Sequence, residues 1–138
     1  MDHLNVIVPL YNENENVINN LIKNLKISLS KITQNWKVIL IDDGSTNECW
    51  DTILRVSKDD SNIAGIKLSK NFGQHCATKA GIDNANSEFT IVLDGDMQDD
   101  PKYIEELYSN INKGYDVVYC ERFERKDLLQ IFFSKVFY

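Results

Sequence analysis

Apolar positions along this chain follow two alternating patterns. Residues 4–9 form a short run rich in valine and isoleucine, as expected of a strand buried on both faces. From 14 to about 32, Val17, Ile18, Leu21, Ile22, Leu25 and Leu29 instead recur at helical spacing. A second strand-like run, 36–41, halts at "DDGST", which is turn and cap chemistry. A short helix is expected over 48–57 and a third strand over 63–68. The loop "SKNFGQ" then leads into a helix from about 75 to 85. The fourth strand, 89–93, precedes Asp100 and Pro101, which suit the cap and first position of a helix running to about 111. Residues 115–119 read as a fifth strand, and the apolar tail from about 126 to 138 as a helix.

Strands alternating with helices predict an α/β fold with a mainly parallel sheet covered on both faces. Ligands of such sheets sit at the carboxyl ends of the strands. Three of those ends are chemically unusual: "PLYNENE" after the first, "IDDGST" after the second and "LDGDMQDD" after the fourth. In a parallel sheet they fall along one edge. The fourth is the densest, with Asp94, Asp96, Asp99 and Asp100 inside seven residues. Carboxylates so close repel one another and cost stability. A hard divalent cation, Mg2+ or Mn2+, would offset that repulsion. Gly95, between Asp94 and Asp96, lets the backbone turn sharply and a ligand come close. A metal held there can also grip a diphosphate and stabilise the charge that builds as it departs. Asp42 or Asp43 can accept hydrogen bonds from ribose hydroxyls or a base edge, and Tyr11 offers a face for stacking.

A plainer reading stands beside this one, because acidic residues are common turn formers and helix caps. For Asp43 and Asp100 it has equal standing. For Asp94 and Asp96, the second acidic strand end favours a site. His3, His75 and the cysteines carry no assigned role.

Composition narrows the function. A chain of 138 residues is one domain or part of one, and 43% hydrophobic content supports a single core. The formal net charge of -6 argues against nucleic acid as a partner. Cys49, Cys76 and Cys120 are far apart, with no CxxC pair, which suits free thiols in a reducing compartment. The amino terminus shows no basic segment followed by an apolar one, and no apolar run is long enough to span a bilayer. The expected location is therefore cytoplasmic.

Four segments, "VIVPLYNENENV", "VILIDDGSTN", "LSKNFGQHCATKAGID" and "IVLDGDMQDDP", follow in an order and spacing that resemble the N-terminal half of a family 2 glycosyltransferase. Within that family they are most similar to the dolichol-phosphate mannosyltransferase and bacterial polyprenyl-phosphate sugar transferase branch. The likeness runs from about residue 4 to 126. It implies a Rossmann-like GT-A fold, a nucleotide-diphospho-sugar donor, and inversion at the anomeric carbon by direct displacement. It places donor contacts on Pro9, Tyr11, Glu13, Asp42, Asp94 and Gly95, and metal ligands on Asp94, Asp96 and Gln98. Where relatives usually have "DPPE", this chain has Asp100, Pro101 and Lys102, which alters the helix cap more than the site. Relatives continue well past this length. The resemblance thus makes 1–138 the N-terminal part of a longer catalytic domain and leaves the catalytic residues unassigned.

An alcohol acceptor needs a general base, whereas a lipid phosphate is already anionic and needs cationic groups to hold it. Arg122, Arg125 and Lys126 lie together after the expected fifth strand, and arginine forks readily onto phosphate oxygens. Beyond them Leu128, Leu129, Phe132, Phe133, Val136 and Phe137 share a helical face. Two readings of 122–138 stay open: an amphipathic segment on the cytoplasmic face of a membrane, or a core helix with partners elsewhere. The expected activity is transfer of a sugar to a polyprenyl phosphate in cell-envelope or surface-glycan synthesis. UDP-glucose is the first donor expected, with GDP-mannose and UDP-N-acetylglucosamine behind it. Alternatives are a transferase acting on a growing polysaccharide, or a nucleotide-sugar-binding unit without turnover. An unfinished sheet and an apolar tail also favour self-association. A haloacid-dehalogenase-like phosphatase or a receiver domain would carry its acidic motif at the first strand. A dinucleotide-dependent oxidoreductase would need GxGxxG there, and "PLYNEN" has no glycine.

Overall fold

The computed structural model describes residues 2–95 and 103–120. Its elements are β1 (Asp2–Leu10), α1 (Glu15–Ser30), β2 (Trp36–Asp42), α2 (Cys49–Asp59), β3 (Ile63–Lys67), α3 (Gln74–Asn84), β4 (Ser87–Val92) and α4 (Tyr103–Ile111). The strands pair in parallel in the order β3-β2-β1-β4. The expected α/β sheet with cover on both faces is what forms.

Alternation along the central strands decides which helix covers which face. Leu4, Val6, Val8 and Leu10 of β1, with Val38 and Leu40 of β2, point to one side. There they meet Ile18, Leu21, Leu25 and Leu29 of α1, Ile53 of α2 and Ile104 of α4. Ile7, Ile39 and Ile41 point the other way, onto Ala77 of α3. Each fully buried leucine or isoleucine contributes about 1.5–3 kcal/mol relative to exposure. The larger side of this core therefore carries most of the stability. Helix α1 begins where Asn14 caps it, its side chain accepting from the Val17 amide at 3.1 Å.

His3, with no role expected, has a structural one. Its Nδ1 lies 2.9 Å from a Glu88 oxygen and its Nε2 2.7 Å from the Tyr108 hydroxyl, with Phe89 packed edge-on. It fastens the starts of β1 and β4 to α4, away from the carboxyl edge.

The fifth strand is a correction. Residues 115–120 form no strand, and the sheet among the described residues has four. Tyr115, Val117 and Tyr119 are exposed. Their alternation satisfies strand propensity, but a strand also needs a neighbouring edge, and these residues run alongside β4 without pairing to it. The three cysteines are free, as expected. No helix among the described residues is long and apolar enough to cross a membrane. The expected cap at Asp100 and Pro101, the basic trio Arg122, Arg125 and Lys126, and the tail helix lie outside the described residues.

Candidate functional site

The chain runs outward from β1 through β2 to β3 and then crosses by α3 to β4, on the other flank of β1. Strand order therefore reverses between β1 and β4, and the crevice at such a switch point is where open α/β sheets bind ligands. A cavity of about 300 Å³ lies there. Its walls are Pro9, Leu10, Tyr11 and Glu13 from the end of β1, Asp43 after β2, Asn71, Gly73 and Gln74 before and at the start of α3, and Asp94 and Gly95 after β4.

Strand continuation brings these ends together. The Asp43 amide donates to the Leu10 carbonyl at 2.9 Å, and the Leu93 amide to the Ile7 carbonyl at 3.0 Å. Gly95 then passes so close to β1 that a Cβ there would lie 2.8 Å from the Pro9 carbonyl oxygen and 2.3 Å from Leu10 Cδ2. Only a residue without a side chain fits that approach.

The loop after β1 is locked to the loop after β2. Asn12 adopts φ 56, a left-handed conformation that asparagine tolerates better than most residues. Its amide donates to Ser45 Oγ at 2.8 Å, and its Oδ1 accepts from the Thr46 amide at 2.9 Å. Tyr11 is thereby presented at the surface, 46% exposed, beside the cavity.

Asp42 and Asp43 part ways. Asp42 is fully buried beneath the cavity and does not line it; Oδ1 accepts from the Ser45 amide at 3.1 Å, while Oδ2 is buried without a hydrogen-bond partner. A buried orphan carboxylate oxygen is costly, and such atoms mark strain or a missing partner. Nearby, burial pushes the Cys49 thiol up, a hydrogen bond with Ser45 draws it down, and the Asp42 charge pushes it up again. Asp43 faces the cavity but turns its carboxylate to backbone: Phe72 N–H donates to Oδ1 at 2.8 Å and Gly73 N–H to Oδ2 at 2.9 Å. Across the cavity, Asp94 Oδ1 accepts a short hydrogen bond from Gln74 Nε2.

Of the residues expected from sequence, Pro9, Tyr11, Glu13, Asp94 and Gly95 share the cavity wall. Asp42 lies behind it. Asp96 and Gln98 fall outside the described residues, as do Arg122, Arg125 and Lys126. Among the described residues no three histidine, cysteine or carboxylate side chains cluster as a metal site. Sequence reading missed Asn12 and Gln74. The signal for Asn12 was an asparagine two residues past a strand, in a turn-forming run; Gln74 carried none, since its role depends on a strand end twenty residues on.

A larger groove, about 940 Å³, follows the open edge of β4 beneath α4 and residues 115–120. Its walls are chiefly aliphatic and aromatic, and it meets the candidate residues only at Asp94. The smaller cavity is where polar groups from three strand ends converge.

Comparison with known proteins places this arrangement. The family model for Glycosyl transferase family 2 matches residues 5–132. The undecaprenyl-phosphate 4-deoxy-4-formamido-L-arabinose transferase of Salmonella choleraesuis (strain SC-B67) is 35% identical over 127 residues, 91% of this chain. This chain spans only 38% of that relative's length. Among solved structures, the mannosyltransferase PcManGT from Pyrobaculum calidifontis, in complex with GDP-Man and Mn2+, aligns with a TM-score of 0.60 at 21% identity, over 69% of this chain and 28% of that one. S. aureus TarS 1-349 in complex with UDP aligns with a TM-score of 0.59 at 20% identity, over 91% of this chain and 40% of that one. The fold is accordingly that of the GT-A glycosyltransferases, and the chain belongs to glycosyl transferase family 2.

Proposed function

We propose that this chain forms the donor-binding part of an inverting glycosyltransferase that moves a sugar from a nucleotide-diphospho-sugar to a polyprenyl phosphate. The observation that carries the reading is the convergence of Tyr11, Glu13 and Asp94 on one cavity at the switch point of the sheet. Tyr11 supplies a face on which a base can stack. The buried Asp42, with one unpartnered oxygen, backs the same wall and can take a hydrogen bond from a base or ribose donor once the neighbouring groups shift. UDP-glucose is the first donor proposed and GDP-mannose the second.

The donor set suits a divalent cation. Asp94 is a half-buried carboxylate at the cavity wall, and the glycine after it lets the chain pack closely against Pro9 and Leu10. With Asp96 and Gln98 it offers the hard oxygen ligands that Mg2+ or Mn2+ prefers. Such an ion, when bound, neutralises charge on the departing diphosphate. This chain's own residues orient the donor, with Tyr11 and Asp94 both on the cavity wall.

On the acceptor side, Arg122, Arg125 and Lys126 are proposed to hold the lipid phosphate, with 122–138 meeting the cytoplasmic face of the membrane. The similarity to an undecaprenyl-phosphate sugar transferase supports that acceptor class. A second reading is nucleotide-sugar binding without transfer.

Incubation with labelled UDP-glucose or GDP-mannose and Mn2+, with undecaprenyl phosphate or an oligosaccharide as acceptor, tests the proposal. Label entering the organic phase is the expected result. Label entering only an oligosaccharide acceptor would overturn the lipid-phosphate assignment, and tight donor binding with no transfer would favour the second reading.

A further inference from the structure

Asp43 is 3% exposed, and both its oxygens accept backbone N–H groups, from Phe72 and Gly73. Hydrogen bonds to an ionised acceptor are roughly twice as strong as neutral ones. This carboxylate therefore fixes the segment just ahead of α3. The next residue, Gln74, reaches over and donates to Asp94 Oδ1. Asp43 follows β2 and Asp94 follows β4, and β1 lies between those strands. The chain of contacts thus bridges opposite walls of the cavity above the end of β1.

We infer that Asp43 and Gln74 are positioning residues: Asp43 sets the height of the 71–74 loop, and Gln74 in turn orients the Asp94 carboxylate toward the ligand. This rests on reading the cavity as the nucleotide-diphosphate site. An amide suits the task because it orients a carboxylate without neutralising it. A lysine in its place would compete with any cation for the same charge. A carboxylate already held in one orientation loses less freedom when the ligand arrives, and preorganisation of this kind raises affinity. Asp43 itself has both oxygens engaged by backbone and makes no demand on the ligand.

Two measurements on the full chain test this. In 15N-labelled, ligand-free protein, Asp43→Asn keeps the size of the side chain but turns one acceptor into a donor facing a backbone N–H. The side-chain amide pair of Gln74 should shift along with the amides of Phe72 and Gly73. Gln74 signals that stay in place would overturn the relay. In titrations with Mn2+ and UDP or GDP, Asp43→Asn and the surface change Gln74→Ala should each weaken binding about tenfold. The double variant should be no weaker than the poorer single, because both act through Asp94. Losses that multiply to about a hundredfold would show independent roles and overturn the inference. If Asp94→Ala abolishes binding while Gln74→Ala leaves it intact, the inference fails and the nucleotide site stands. If Asp94→Ala binds as tightly as the parent, the site reading itself falls and takes this one with it.

Discussion

Asp42 and Asp43 are chain neighbours at the end of β2, yet one lies beneath the cavity and the other on its wall. Successive side chains leave a strand on opposite faces, and Asp42 is the last residue of β2 while Asp43 already belongs to the loop. The sequence made the pair visible. Which member faces the cavity depends on the loop that follows, and Gly44 shapes that loop. Its φ is +70, and a Cβ there would lie 2.2 Å from the backbone carbon of Lys70. Gly44→Ala therefore meets both a left-handed backbone and a collision with main chain that cannot rotate away. Urea unfolding should show a loss of roughly 2–4 kcal/mol. An unchanged midpoint would mean the two loops are not packed as described. The partners of Gln74 and Asn12 were illegible for a different reason: each is brought near only by the sheet.

At the scale of elements, periodicity was a good guide wherever a segment packs against the core. Helix α1 buries Ile18, Leu21, Ile22, Leu25 and Leu29, five of the six positions whose spacing announced it, while Val17 is only partly covered. The fifth strand failed because propensity is local and pairing is not. Charge also links elements. Lys26 of α1 lies 2.5 Å from Asp60, just after α2, and Asp60 also accepts from the Asn62 amide at 2.8 Å. The hydrogen bond from Lys26, then that from Asn62, hold the Asp60 carboxyl below its ordinary range. A depressed carboxyl pKa contributes stability that is complete above the unfolded value, about 4, and is lost as pH falls through the folded value. With Lys26 partly exposed, the pair is worth no more than about 1 kcal/mol. Lys26→Met should be less stable than the parent by up to that amount at pH 7, and the gap should close as pH falls below about 4 and Asp60 protonates. A gap that persists in acid would place the effect in packing of the lysine stem instead.

The whole molecule adds what no single segment holds, which is the order of strands. Alternating β and α segments predicted a parallel sheet, and a parallel sheet puts every carboxyl end on one edge. Only the order β3-β2-β1-β4 brings Asp94 to the same cavity as Tyr11 and Glu13 and opens the crevice where β1 and β4 end. That order follows from nonlocal pairing and from α3 crossing on the opposite face to α1 and α2, neither of which composition or periodicity encodes. The central claim is that this crevice binds a nucleotide diphosphate through Asp94 with the help of a divalent ion. Calorimetry with UDP and GDP, in Mn2+ and in chelator, on the parent chain and on Asp94→Asn, measures it most directly. One nucleotide should bind in Mn2+, chelator should weaken it, and the variant should lose at least about tenfold in affinity. Equal affinity in parent and variant, or no binding of either nucleotide by the folded chain, would contradict it.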